Sequence, residues 1–262
     1  IELAGSLQNS GTLTLGTGNI SLNNSVAATY TFNSNNTAFN DLTINANPSA
    51  IYQMATSNAT INGDFRIISG AFDLNGRNLQ FGDNTADSII VAASGRLTID
   101  ELSSLSMDGN THLIGESGST IQILGTVSNY ANITSITPAS DFYGINILSG
   151  ATIEARYYNI SNTDSILVNA GATLDATNNF SDGALSAGEA GGVYLVLNDA
   201  LSANDTIRNI SFGTGPTNNI ARSTVSGFTY VIDAFSGVLG GAAFERDASN
   251  EIQWQAPSEI TR

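Results

Sequence analysis

Short segments in which polar and apolar residues alternate recur along the whole chain. Examples are NISL at 19–22, DLTI at 41–44, RLTI at 96–99 and TIQI at 120–123. Alternation with a period of two over four to six residues predicts half-buried β-strands. Gly, Asn-Gly or Ser-Gly pairs separate nearly all of these segments, and such residues favour turns. The pattern therefore predicts an all-β chain built from many short strands.

Two architectures suit such strands. One is a sandwich or barrel built from hairpins, and the other is a solenoid. Internal repetition of the sequence discriminates between them. The segment ILSGATIEA at 147–155 matches VNAGATLDA at 168–176, and SGRLTI at 94–99 has a frame similar to SGSTIQ at 117–122. The first match relates position 147 to position 168, and the second relates position 94 to position 117. Recurring offsets of similar size are expected when each turn of a coil stacks on the previous one. We therefore predict a right-handed parallel β-helix over residues 1–182.

Residues 183–262 depart from this repeat. The segment VYLVL at 193–197 is a stronger apolar strand than those before it, and no Pro-rich or charged linker precedes it. We expect this region to form irregular terminal coils or a β cap that is continuous with the solenoid. A separate small domain is the alternative.

Composition narrows the range of partners. Only 12% of residues are charged against 41% hydrophobic, so neutral Asn, Ser, Thr and Gly must form most of the solvent face, and these residues disfavour helices. The net charge of −15 argues against nucleic acid and anionic membranes as partners, because both carry dense negative charge. No apolar run approaches the ~18 residues of a transmembrane segment.

The repeat words resemble those of a known class of proteins. FNDLTIN at 39–45, GAFDLNGRNL at 70–79 and the segment 150–182 are similar to right-handed parallel β-helix repeats of bacterial cell-surface proteins, of the adhesin and fibre type. The resemblance covers most of residues 30–185. It implies secretion, surface attachment or fibre formation, and it carries no catalytic motif.

From these features we expect an extracellular or cell-surface structural protein. The chain has no Cys, which excludes disulfides and cysteine nucleophiles. Terminal solenoid coils present open strand edges, so end-to-end self-association into a filament is the first hypothesis. A carbohydrate-binding adhesin module is the first alternative, and a polysaccharide-active β-helix enzyme is the second.

The enzyme alternative has little support in the residues, and we predict no catalytic residue. His112 is the single histidine, so a multi-histidine metal site cannot form. Glycoside hydrolysis needs two carboxylates on one cleft, and the best candidates are Glu154 and Asp175, which should stack one coil apart. Arg156 would then neutralise this pair.

Two further kinds of binding site are conceivable from the side chains. Asp175, Asn179 and Asp182 offer oxygen ligands of the type that calcium takes, in a turn-rich segment, although no calcium motif is matched and no other cofactor is implied. Tyr143, Tyr157 and Tyr158 could form an aromatic platform for a glycan.

Asn-x-Ser/Thr sequons are numerous, as expected by chance in a chain of this composition. Their acceptor residues, which are candidate N-glycosylation sites, are Asn23, Asn35, Asn58, Asn132, Asn159, Asn179, Asn204 and Asn209.

Overall fold

The computed structural model describes residues 1–11, 13, 16–138 and 140–255. It is an all-β structure, with 52% strand and 1% helix, in which parallel sheets stack as a β-solenoid of about 10 turns. The predicted parallel β-helix is confirmed.

Each coil contributes up to three short strands before the chain rises to the next coil. The strands of the N-terminal half are β1 (Glu2–Leu3), β2 (Leu7–Gln8), β3 (Asn19–Leu22), β4 (Thr29–Asn33), β5 (Ala38–Phe39), β6 (Asp41–Asn45), β7 (Ile51–Met54), β8 (Ala59–Ile61), β9 (Phe65–Asp73), β10 (Asn78–Phe81), β11 (Ser88–Asp100), β12 (Ser104–Met107), β13 (His112–Gly115) and β14 (Thr120–Leu124). The strands of the C-terminal half are β15 (Ala131–Ser135), β16 (Tyr143–Ile147), β17 (Thr152–Arg156), β18 (Tyr158–Ser161), β19 (Thr163–Val168), β20 (Thr173–Ser181), β21 (Ala184–Ser186), β22 (Val193–Leu197), β23 (Asp205–Arg208), β24 (Ser211–Phe212), β25 (Asn218–Arg222), β26 (Tyr230–Asp233), β27 (Arg246–Asp247) and β28 (Ile252–Gln255). A three-residue 3-10 helix spans Ala242–Phe244.

The strands stack into three faces, and every pairing within the described residues is parallel. The first face runs from β1 through β3, β6, β9, β11, β13, β16, β19, β22 and β25 to β27, and the second from β2 through β4, β7, β9, β11, β14 and β17 to β20. The strands β9 and β11 bend across the corner and serve both faces. The third face runs from β5 to β24, and a short sheet of β23, β26 and β28 follows β20.

The core is a set of apolar files that run along the solenoid. On the first face, each coil places one apolar side chain directly over its equivalent in the next coil, and all of them are buried. In order these residues are Ile20, Leu42, Phe65, Ile89, Leu113, Ile145, Ile166, Leu195 and Ile220. Burying an aliphatic side chain contributes ~1.5–3 kcal/mol, so the continuous file is a main source of stability.

Polar side chains form a ladder on the outside of the second face. Gln53 donates to the Asp73 carboxylate at 3.1 Å, and Thr98 donates to Gln122 at 3.1 Å. Gln122 in turn donates to Glu154 at 3.2 Å. Consecutive coils are thus joined by side-chain hydrogen bonds as well as by backbone pairing.

One of the two repeat alignments needs a correction. The alignment of position 147 with position 168 is confirmed, since Ile147 pairs with Val168. The alignment of position 94 with position 117 is out of register by one, because Leu97 pairs with Ile121 and not with Thr120. The sequence alignment would have placed Leu97 over the outward Thr120, since a slip of one residue exchanges the two faces of a strand.

The C-terminal region continues the coil stacking through β28. The strands β22, β25 and β27 extend the first face, and β24 ends the third face next to an isolated parallel bridge between Ser211 and Ser236. The part of this region at 256–262 lies outside the described residues.

Candidate functional site

A single-residue corner leads from the second face, or from the short sheet that follows it, toward the third face in four successive coils. Asn159 pairs with Ala184, Ala184 with Ser211, and Ser211 with Ser236. The residues two positions earlier are therefore equivalent, and all four have left-handed backbone: Tyr157 (φ 52), Asp182 (φ 59), Asn209 (φ 53) and Ala234 (φ 54). Asn and Asp tolerate this conformation best among residues with a side chain.

Tyr157 brings an aromatic ring to the outer side of this corner. Its ring lies 6.4 Å from that of Tyr130 in an edge-to-face arrangement, and the Arg156 guanidinium lies 5.1 Å from its centroid. Tyr130 is 37% exposed and the nearby Val127 is 75% exposed. The corner therefore presents apolar surface to solvent beside two aromatic rings.

Charged and amide groups surround these rings. Arg156 forms an ion pair with Asp182 at 2.8 Å, and Asn209 donates to the other carboxylate oxygen of Asp182 at 2.7 Å. The hydrogen bond to Asp182 raises the pKa of Arg156 above its usual value. Asn159 donates to Asn132 on the neighbouring coil at 3.2 Å.

Tyr130, Tyr157, Asn159, Asp182 and Asn209 line a groove of about 370 Å³. The third-face position occupied by Asn132 and Asn159 is taken by Ala184 and Ser211 in the next two coils. The step from larger to smaller side chains creates the floor of the groove. We refer to it as the corner groove, lined by Val127, Tyr130, Tyr157, Asn159, Asp182, Gly183, Ala184, Asn209 and Ser211.

The proposed aromatic platform needs a correction at two of its three positions. Tyr143 and Tyr158 are fully buried, and their hydroxyls donate to the carbonyls of Ser161 and Phe180 at 2.9 and 3.0 Å. Burial raises the pKa of both hydroxyls well above the ordinary value. Neither ring can contact a glycan, whereas Tyr157 lies in the corner groove.

The three calcium candidates have other partners. Asp175 accepts hydrogen bonds from the backbone of Thr177 and Asn178. Asn179 is buried and bonds Asp205 and the Thr206 carbonyl. Asp182 is held by a guanidinium, which disfavours a second cation.

No group of three or more His, Cys, Asp or Glu residues able to hold a metal ion occurs in the described ranges. A calcium requirement stays a prediction.

The sequon residues differ in accessibility. Asn35, Asn58, Asn159, Asn204 and Asn209 are exposed, and Asn23 and Asn132 are half-buried. Asn179 is only 2% exposed and its amide nitrogen is hydrogen-bonded, so the folded chain offers no room for a glycan there. Glycosylation at the other positions stays a prediction.

The structure does not bring the carboxylates Glu154 and Asp175 of the enzyme alternative together as a stacked pair. Glu154 accepts hydrogen bonds from Gln122 and Asn178. The strand register shifts just after Ile153, so Asp175 does not pair with Glu154 in the next coil. Arg156 pairs with Asp182, so the expectation that it neutralises Glu154 is wrong.

His112 is exposed and lines a separate polar groove of about 260 Å³. Asp141, Asp164 and Glu189 line the same groove. Gly144 provides the space there, because a side chain at this position would contact both the His112 ring and the Asp164 carboxylate.

Sequence reasoning missed a buried ionic cluster in the last coils. Arg222 is fully buried and donates from Nε to Glu251 at 2.9 Å and from Nη1 to the Leu197 carbonyl at 2.7 Å. Tyr230 donates to Asp199 at 2.7 Å. The signal available was an arginine that directly follows the apolar pair Ile220 and Ala221 at the end of the strand NNIAR.

The electrostatics of this cluster favour ionised Glu251. Burial alone would raise the pKa of Glu251, but hydrogen bonds from Gly227 N–H, the Arg222 guanidinium and Ser226 outweigh it and lower the pKa to about 2. For Asp199, burial dominates and raises the pKa despite the hydrogen bond from Tyr230.

Comparison with known proteins adds no identification. No protein-family model, no curated protein and no solved structure matches this chain. Among the described residues, no helix is long and apolar enough to cross a membrane.

Proposed function

We propose that this chain is a structural segment of an extracellular surface protein, a stiff rod that spaces or assembles other parts at the cell surface. The observation that carries the proposal is the apolar file of the first face, which continues without a polar residue from Ile20 to Ile220. Each coil contacts mainly its neighbours in such an array, so length and stiffness grow with coil number.

The dimensions suit a spacer. About 10 turns at a strand spacing of ~4.8 Å give a body of roughly 48 Å along its axis. The outward polar ladder, including the bonds from Gln53 to Asp73 and from Gln122 to Glu154, adds cross-links between coils. The length and the cross-links between coils support a role as a stiff spacer.

The surface composition supports an extracellular setting. Charged residues are scarce, and Cys is absent, so stability does not depend on the redox state of the compartment. End-to-end association into a filament belongs to the same proposal, because parallel coils present strand edges along the axis that a second copy can extend.

Localisation and shape test the proposal together. Antibodies against the purified chain should label intact cells that make the protein, and electron microscopy of the labelled material should show rods or fibres. Labelling that requires permeabilised cells would contradict the extracellular assignment. A compact, flexible particle in small-angle X-ray scattering would contradict the rod.

The enzyme alternative has its own test. The purified chain should release no reducing ends or unsaturated products from a panel of polysaccharides. If products appear and are lost in Glu154→Gln or in His112→Gln, the structural assignment fails.

A further inference from the structure

The corner groove contains a residue that local backbone preference disfavours. The equivalent corner positions in the two following coils carry Asp182 and Asn209, which suit left-handed backbone, whereas this coil carries Tyr157 at φ 52. A bulky side chain in this conformation is strained. Strained positions of this kind concentrate at functional sites, and here the strain places a ring beside Tyr130 on the groove wall.

We propose that the corner groove binds a neutral oligosaccharide, with Tyr157 and Tyr130 against the apolar faces of the sugar rings and Asp182, Asn159 and Asn209 toward the hydroxyls. This inference rests on the proposed function in one respect, since the surface location says where the protein would meet an oligosaccharide. The binding itself is a property of the purified chain.

The chemistry of the groove matches the two-sided character of a sugar ring. One side of many pyranose rings presents C–H groups, which pack on the face or edge of an aromatic ring. The rim of the same ring presents hydroxyls, which both donate and accept hydrogen bonds. Asn amides also do both, and the Asp182 carboxylate in the groove wall adds acceptors.

The polar groups are already oriented without a ligand. Arg156 and Asn209 engage opposite oxygens of Asp182 at 2.8 and 2.7 Å. Asn159 is held by Asn132 at 3.2 Å. Groups that are fixed before binding lose less conformational entropy when the ligand arrives, which is what a shallow groove needs.

Charge favours a neutral ligand. The chain carries a net charge of −15, so an acidic polysaccharide would be repelled at long range. The described residues that line the groove include no cation, and Arg156 beside it is already paired with Asp182. A neutral glycan gains the ring contacts and hydrogen bonds without this repulsion.

The decisive variant is Tyr157→Asn, because Asn suits the left-handed corner and keeps the fold. The protein is made in a bacterial host that adds no N-glycans, and it is applied to an array of neutral and acidic oligosaccharides. The tightest neutral ligand on the array is then measured by titration calorimetry. We expect Tyr157→Asn and Tyr130→Ala each to weaken binding by roughly tenfold or more, as for central aromatic contacts, and Tyr157→Phe to retain most of it.

A matched control separates ring loss from general surface change. Phe228 is 37% exposed, the same fraction as Tyr130, and lies outside the groove. Phe228→Ala should leave the affinity unchanged, and thermal melting should show that all variants fold.

Three results overturn the proposal. The first is binding to no neutral glycan on the array, and the second is unaltered affinity in folded Tyr157→Asn and Tyr130→Ala. The third is binding restricted to acidic glycans and lost in Arg156→Gln. None of these results bears on the surface location or on the rod shape, which are tested separately.

Discussion

At the scale of single residues, left-handed backbone is where sequence and conformation disagree most. Positive φ occurs at many Asn residues, as expected, but also at Leu102 (φ 63), Ala93 (φ 40) and Ala234 (φ 54). Residues with a Cβ that are neither Asn nor Asp cost about 1–2 kcal/mol there. Positions of this kind can be improved without touching the core.

Leu102 gives the clearest prediction of this type. It is 61% exposed, so replacing it removes little packing. We expect Leu102→Asn to raise the free energy of unfolding by about 1 kcal/mol, measured by urea denaturation. Leu148→Asn is the matched control, because Leu148 is 37% exposed and has ordinary backbone, and it should give no gain. An equal gain in both variants would show that lost apolar exposure is the cause.

The corner groove shows how far the sequence reaches at this scale. The sequence predicts a glycan platform of Tyr143, Tyr157 and Tyr158, and alternation alone cannot tell which ring faces out. The one-residue corner at Tyr157 breaks the alternation, so Tyr158 begins a new strand with its ring in the core. Corners of this kind depend on the backbone angle of one residue, which no periodic pattern encodes.

At the scale of elements, close approach between coils is limited by particular glycines. A Cβ on Gly95, in β11, would overlap the carbonyl oxygen of Ile67 on the preceding coil and press on that of Ala92. The backbone at Gly95 is not left-handed, so glycine is required here for the space it leaves and not for its backbone angle. The coils can keep hydrogen-bonding distance at this corner only because the side chain is absent.

Gly95→Ala should therefore push two coils apart. We expect a loss of about 1–3 kcal/mol in the free energy of unfolding, the cost typical of overpacking, measured by chemical denaturation. Gly5→Ala is the control, since no atom lies within 4 Å of its added Cβ, and it should be tolerated. If Gly95→Ala is equally tolerated, the coils adjust more easily than close packing implies.

The strands were predictable, whereas their spacing along the chain was not. The segments at 19–22, 41–44 and 120–123 all form strands where alternation predicted them. Coil length, however, is not constant, because the coil that runs from Leu113 to Ile145 is markedly longer than the next one, which runs from Ile145 to Ile166. The difference lies in loops outside the stacked strands, where no repeated packing constrains the residue number.

At the scale of the whole molecule, the solenoid pairs each described strand with strands of the adjacent coils, and the ion pair between Arg66 and Glu116, at 3.2 Å, reaches one coil further. Its stability is the sum of terms within coils and between neighbouring coils, so a local defect should be felt locally. The cluster around Arg222 is the natural place to test this. Asp199 lies in one coil, Arg222 and Tyr230 lie in the next, and Glu251 lies in the coil after that. The cluster therefore joins three successive coils.

Acid should weaken this cluster in a defined pH window. The pKa of Glu251 is about 2 in the folded chain and ~4.3 when unfolded, so the unfolded state binds the proton first. The stability contributed by Glu251 is therefore complete above about pH 5 and is lost as the pH falls toward 2. Asp199, whose pKa is raised, acts in the opposite direction, so the effect of Glu251 must be measured as a difference between variants.

Glu251→Gln isolates that difference, because it removes the charge and keeps the shape. Arg222 then keeps Asp199, 3.6 Å away, as its remaining carboxylate partner, so the cost should lie below the value of about 3–5 kcal/mol for a buried charge left without a partner. The gap in unfolding free energy between the two proteins should be widest above pH 5 and should narrow toward pH 2. Amide hydrogen exchange at pH 7 should accelerate in β26 and β28 and stay unchanged in β6 and β8. Acceleration along all coils would mean that the solenoid unfolds as one cooperative unit and not coil by coil.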